Sequence, residues 1–144
     1  NEAATQLYTF DARDGKQVPK NVTKAVTIHP SVRRIPKRAF EECARLESIK
    51  LHRGVTSIDA RAFNECVNLK YINLQETSVE IIHQWAFFNC KSLKRVELPP
   101  SMKRINAMAF DGCESLIVIN LSRCPLLEEI EFLAFSYCTS LIAV

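Results

Sequence analysis

The sequence predicts an α/β repeat solenoid, and three observations carry the prediction. A segment AFEEC at 39–43 returns as AFNEC, AFFNC, AFDGC and AFSYC; aligned on Phe40, Phe63, Phe87, Phe110 and Phe135, the steps are 23, 24, 23 and 25 residues. Within each copy the apolar spacing switches from a helix-like period to a strand-like one. With 47% apolar and 24% charged residues over 144 positions, the composition is that of one ordinary folded domain.

A unit reads I-x-x-x-A-F-x-x-C-x-x-L-x-x-I-x-L, as in Ile58, Ala62, Phe63, Cys66, Leu69, Ile72 and Leu74. From Ile58 to Cys66 the apolar positions fall at i, i+4, i+5 and i+8, one face of a short helix. From Ile72 to Leu74 the step is two, which buries one face of a strand. A connecting stretch such as LPPSMKRI follows, where Pro99 and Pro100 remove donors and turn the chain, and Met102 and Ile105 point inward again. Equivalent inward pairs are Val32 with Ile35, Val55 with Ile58, Val79 with Ile82, and Leu127 with Ile130. No single unit can bury its apolar face, so the copies must stack as successive coils of a continuous core.

These repeats closely resemble the BspA-like leucine-rich repeats, whose pattern stands in residues 35–144 with few departures; a proline follows the strand in one repeat alone, at Pro99, and the last unit stops at Val144. The resemblance implies a right-handed superhelix with a short parallel sheet on the concave face and short helical segments on the convex face. It also implies an interaction module, of a class known from bacterial surface proteins implicated in adhesion, and no specific ligand.

Residues 1–22 stand outside the repeat. LYTF, DARDG and KQV read as strand, turn and strand, an N-terminal capping hairpin over the first coil, with Asp14 and Gly15 at the turn. Residues 23–144 then hold five to six repeats, opening with a strand at Val26 and Ile28; no C-terminal cap is expected, since SLIAV ends inside a strand.

Five of the six cysteines, Cys43, Cys66, Cys90, Cys113 and Cys138, share one column. Neighbours about 5 Å apart are within disulfide range, but stacked side chains run parallel and neither face each other nor converge on a metal. They are expected to be small buried hydrophobes. Cys124, beside a proline in the longest inter-unit stretch, is expected in an accessible loop.

The net charge of +3 divides into +5 over residues 1–72 (13 Lys/Arg against 8 Asp/Glu) and −2 over 73–144 (6 against 8). That bias is short of a nucleic-acid-binding patch, and no apolar run is long enough to span a membrane. With three glycines, no phosphate loop, G-x-S-x-G, HExxH or C-x-x-C is present, so the chain is read as non-catalytic, with no cofactor, metal or small-molecule substrate. No signal-peptide pattern opens the sequence, and the compartment is left open between cell surface and interior.

The remaining candidates are the variable positions between the fixed ones. Strand alternation sends Lys50 and His52, Tyr71 and Asn73, and Arg95 and Glu97 outward on the strand face; Tyr71 and Arg95 are of the types enriched at protein contacts. On the opposite side the column Arg38, Arg61, Trp85, Met108, Leu133 passes from charged to apolar and offers a second patch. The resulting expectation is a protein-interaction or assembly module, standing alone or as a subunit of a larger complex. A purely structural spacer, a surface adhesin, and electrostatic attachment through the basic half are the alternatives.

Overall fold

The computed structural model describes residues 6–12, 18–21 and 23–144. Its strands are β1 (Gln6–Phe10), β2 (Thr23–Ile28), β3 (Arg34–Ile35), β4 (Ser48–Lys50), β5 (Ser57–Ile58), β6 (Tyr71–Asn73), β7 (Ile81–Ile82), β8 (Arg95–Glu97), β9 (Arg104–Ile105), β10 (Val118–Ile119) and β11 (Glu129–Ile130), with one turn of 3-10 helix at Leu121–Arg123.

The strands form two parallel sheets that run the length of a solenoid. The six-stranded sheet has the order β1-β2-β4-β6-β8-β10, and the five-stranded sheet is built from β3, β5, β7, β9 and β11 in chain order. Register follows the repeat: Val26 pairs with Ile49, Ile72 with Val96 and Val96 with Ile119 in the first sheet, and Ile35, Ile58, Ile82, Ile105 and Ile130 pair in sequence in the second. The inward assignment holds for Val32, Ile35, Val55, Ile58, Val79, Ile82, Met102 and Ile105, all buried. In the last coil Leu127 is half-buried and Ile130 is exposed. The second sheet was not anticipated, because two-residue strands such as Arg34–Ile35 leave no alternation to detect.

The helical face is the principal correction: no α-helix occurs among the described residues. In each coil two positions adopt a left-handed backbone, the residue before Ala-Phe and the residue before Cys. They are Arg38 and Glu42, Arg61 and Glu65, Trp85 and Asn89, Met108 and Gly112, and Leu133 and Tyr137, with φ between 55° and 79°. A positive φ reverses the hand of the chain and ends a right-handed helix after a single turn.

The arrangement is sustained because it splits the backbone donors into two sets. Ala39, Glu41 and Cys43 close local turns onto Pro36, Arg38 and Phe40. The alternate N–H groups of Arg38, Phe40 and Glu42 point along the stack and donate to the carbonyls of Ala60, Ala62 and Asn64 at 3.1, 2.7 and 2.7 Å. The same three axial bonds recur at each of the next three steps, from Arg61, Phe63 and Glu65; Trp85, Phe87 and Asn89; and Met108, Phe110 and Gly112. Helical segments would use those donors internally and leave the turn faces of successive coils joined by side chains alone. Each left-handed residue costs about 1–2 kcal/mol and each axial bond returns about 1 kcal/mol, so the two effects are of the same order.

The core follows from the pitch. Phe40, Phe63, Phe87, Phe110 and Phe135 stack with centroids 5.1–5.4 Å apart and planes within 7° of parallel, and Phe10 tilts at 58° onto Phe40. LYTF lies in β1, which joins the sheet in parallel beside β2. The expected hairpin turn and most of its returning strand fall at 13–17, outside the described residues.

Cys124 is a second correction. It is buried: the 3-10 turn absorbs the extra length of its unit and swings the thiol inward, where Sγ lies 3.6 Å from the Pro99 carbonyl. Thr77 fills the corresponding place in the 24-residue step, where it is buried with its hydroxyl donating to Leu74 O at 2.7 Å.

Relief of left-handed strain gives a direct test. Glu42 has φ 60° and an exposed side chain, whereas the equivalent place in a later coil is already Gly112. Glu42→Gly is expected to raise stability by about 0.5–1 kcal/mol in urea denaturation despite losing its surface contact with Lys20. The converse Gly112→Ala is expected to destabilise, since a Cβ there would meet the Asn89 side chain as well as a φ of +79°.

Candidate functional site

The six-stranded sheet presents its outward residues in rows, as the sequence predicted. Ser48, Tyr71, Arg95 and Val118 lie side by side across β4, β6, β8 and β10, and Asn73 pairs with Glu97 in the next row. Tyr71 and Val118 are exposed at 43% and 38%, an apolar pair flanking the Arg95 guanidinium. Arg95 Nη2 donates to Glu97 Oε1 at 2.8 Å, which orients it. Lys50 and Asn73 are exposed. His52 is held within the scaffold instead: Nδ1 accepts from Gly54 N at 3.0 Å, so Nε2 carries the proton and donates to His29 O at 3.0 Å. Both ring nitrogens hold the coil-to-coil loop, leaving the ring no free polar atom.

The turn-face column is not the continuous apolar patch that composition suggests. Trp85 is half-buried between its column neighbours, with the Arg61 guanidinium 4.2 Å from its ring centroid and its indole N–H donating to Met108 Sδ at 2.9 Å. Leu133 and the adjacent Phe132 are the exposed apolar members, at 41% and 71%.

Beside that column runs another that sequence reasoning missed: Glu41, Asn64, Phe88, Asp111, Ser136, the residue after each Ala-Phe. Asn64 Nδ2 donates to Glu41 Oε1 at 2.9 Å, and in the adjoining column Asn89 Nδ2 donates to Glu65 Oε1 at 3.0 Å. The first ladder stops at Phe88. Asn64 Oδ1 is left buried with no donor, one of two such atoms among the described residues, with Asn106 Oδ1. Asp111, next in the column, is 9% exposed and its carboxylate has no hydrogen-bond or ion-pair partner among the described residues. Partial desolvation raises its carboxyl above the ordinary aspartate value. Arg61, Asn64, Trp85, Phe88, Met108 and Asp111 line a groove of about 410 Å³ between the two columns. The signal available in the sequence was an Asp at a position whose column neighbours, Phe and Ser, offer no cation.

Burial and hydrogen bonding keep the thiols protonated. All six are free, and Cys66, Cys90, Cys113 and Cys138 each donate Sγ–H to the Phe carbonyl of the preceding coil, on Phe40, Phe63, Phe87 and Phe110, at 3.0–3.2 Å. Burial raises Cys66, Cys90 and Cys113 well above the ordinary thiol value, and pushes Cys43 and Cys138 up to about 11.

A model of the BspA-type leucine-rich repeat region matches six copies over residues 20–142. The chain belongs to the BspA-type leucine-rich repeat family. Among solved structures, this repeat chain is similar to the leucine-rich repeat protein of T. pallidum, at 25% identity and TM-score 0.70, covering 96% of this chain and 79% of that one. It is also similar to leucine-rich repeat proteins of Bacteroides ovatus, at 26% identity and TM-score 0.65 over 90% of this chain, and of Eubacterium ventriosum, at 21% and 0.69 over 81%. It spans 37% and 31% of those two proteins' own lengths. Among curated proteins none matches. For a BspA-type chain the fold suggests a protein-interaction or structural role.

Two measurements follow from these environments. At pH 8 iodoacetamide is expected to label half-buried Cys138 before Cys66, Cys90 and Cys113. Because its pKa is raised, the thiol remains protonated, and its labelling rate should climb about tenfold per pH unit until beyond pH 10. Second, Asp111→Asn removes a carboxylate that no donor of the chain faces and is expected to raise stability at pH 7 slightly, by less than about 1 kcal/mol in urea denaturation. The native carboxyl is raised above its unfolded value of 3.8, so the native state binds more protons in that interval and wild-type stability increases as pH falls through it. The gap between variant and wild type should therefore narrow on acidification.

Proposed function

We propose that this BspA-type chain is a non-catalytic protein-interaction or assembly module that contacts a protein partner through its six-stranded sheet, with Tyr71 and Arg95 at the centre. The row Tyr71, Arg95, Val118 carries the reading: a half-exposed aromatic, an oriented guanidinium and an apolar side chain are fixed in register on paired backbone. Rigid presentation matters because partners then spend little free energy on ordering the contact residues. Lys50, Asn73 and Glu97 form its polar surroundings. His52 contributes through its loop rather than through direct polar contact. The turn-face residues Trp85, Met108 and Leu133 supply a second surface.

Attachment to nucleic acid or anionic membrane through the basic half is disfavoured. Lys24 and Lys70 both reach Glu47, Arg34 reaches Asp59, and Arg38 reaches Glu41, at 3.0–3.8 Å, so much of that charge faces acid.

The test is alanine substitution at Tyr71 and at Arg95, followed by co-purification and quantitative binding of the captured partner. Each substitution is expected to weaken binding by about 2 kcal/mol, roughly thirty-fold. Unchanged capture by the double variant would reject the sheet-face contact and leave the spacer reading.

A further inference from the structure

The tripeptide Asn120-Leu121-Ser122 combines a sequence pattern with a distinctive geometry. Asn120 is exposed and extended, with φ −96° and ψ 99°, just past the end of β10. Alternation places it on the outward face, two residues beyond exposed Val118 and next to buried Ile119. Ser122 is exposed as well, while Leu121 between them packs against the core and anchors the turn.

The Asn120 amide is oriented from one end. Its Oδ1 accepts both the Ser122 N–H at 3.0 Å and the Ser122 hydroxyl at 2.6 Å. A backbone N–H can bond only to the oxygen of that planar group, so Nδ2 is the end that points away from Ser122. Nδ2 has no hydrogen-bond partner among the described residues. The turn itself belongs to the repeat. At the equivalent position two coils earlier, Asn73 Oδ1 accepts the Gln75 N–H at 2.9 Å. The scaffold therefore supplies the turn, and Ser122 adds the hydroxyl that Gln75 lacks.

An Asn followed by a residue other than proline and then by a hydroxyl residue is the acceptor pattern for N-linked glycan transfer, and a bulky, hydrated glycan needs a surface position. The other tripeptide of this kind, Asn21-Val22-Thr23, is less suited: Thr23 is 2% exposed, and the Asn21 backbone carbonyl is held by Arg45 Nη1 at 3.3 Å. Attachment at Asn120 replaces one hydrogen on Nδ2 and leaves Oδ1 untouched, so both bonds from Ser122 are kept.

We propose that Asn120 is an N-glycosylation site. In the transfer, Nδ2 forms a bond to the anomeric carbon of a lipid-linked oligosaccharyl pyrophosphate. The bond from that carbon to the pyrophosphate oxygen breaks, the pyrophosphate leaves with the electron pair, and Nδ2 gives up one proton. The site is independent of the Tyr71–Arg95 contact, because an acceptor needs its tripeptide and open space rather than a protein partner.

The test is cell-free translation, with microsomes, of the chain placed behind a secretion signal and carrying Asn21→Gln, so that a single acceptor tripeptide remains. A mobility shift that peptide N-glycosidase removes is expected, with the glycan placed on Asn120 by glycopeptide mass spectrometry. Adding Asn120→Gln or Ser122→Ala should abolish the shift, and Ser122→Thr should retain it. The glycosylated chain should be digested by trypsin at the same rate as the chain after glycan removal, since no protein contact is lost. Absence of the shift, or a shift that survives Asn120→Gln, would overturn the proposal. Faster digestion of the glycosylated form would overturn it equally, by showing that the folded surface does not accommodate a glycan there.

Discussion

The structure depends on backbone donors being aimed along the solenoid axis. At each step between coils, three N–H groups of the turn segment reach the carbonyls of the next coil, and the two sheets do the same on the other sides. Every coil is therefore held at strand spacing around its perimeter, near 4.8 Å. The stacked phenylalanines at 5.1–5.4 Å follow that pitch. An insertion cannot be accommodated where donors are axial, so the longer units expand only after the strand. There the surplus residue turns inward and becomes buried, as with Thr77 and Cys124.

The same constraint turns aligned residues into contacts. Residues at equivalent positions in successive coils become neighbours, so Glu41 meets Asn64, Glu65 meets Asn89, Arg61 covers Trp85 and Trp85 reaches Met108. A column with complementary residues closes on itself as a ladder. A column with a mismatch leaves unsatisfied groups at a fixed place and spacing. Phe88 is such a mismatch, ending the Glu41–Asn64 ladder and separating it from Asp111. Scaffold and specificity are thus encoded at different positions of the same unit.

Much of this was legible in the sequence. The repeat, a parallel sheet built from one strand per coil, the inward columns and the exposed row containing Tyr71 and Arg95 follow from spacing alone; the addition of β1 to that sheet does not. The helical turn does not, although Ile58, Ala62, Phe63 and Cys66 are buried as predicted. Spacing reports which side chains face inward; it is insensitive to the hand of the backbone between them. The usual markers of a left-handed residue are Gly and Asn, yet here those positions hold Arg, Glu, Trp, Met, Leu and Tyr, with Asn89 and Gly112 as the exceptions. Axial bonding, a non-local effect, decides their conformation. Asp111 escaped notice because its unusual feature, a lack of partners, belongs to neighbours 23 to 25 residues away.

The recurrent cysteine is explained by the same geometry. Each Phe carbonyl in the column already accepts the N–H of the Cys three residues later, at 3.1–3.3 Å, and its second lone pair points along the axis. From Cys66 onward, a thiol from the next coil fills that place while presenting an otherwise apolar body to the core. Valine has the bulk without the donor, and serine has the donor with a larger desolvation cost and less volume. Cysteine combines a weak donor with apolar surface, so its regularity measures the demand of the coil for that combination. A disulfide between neighbours would remove two such donors and twist side chains that the pitch holds parallel.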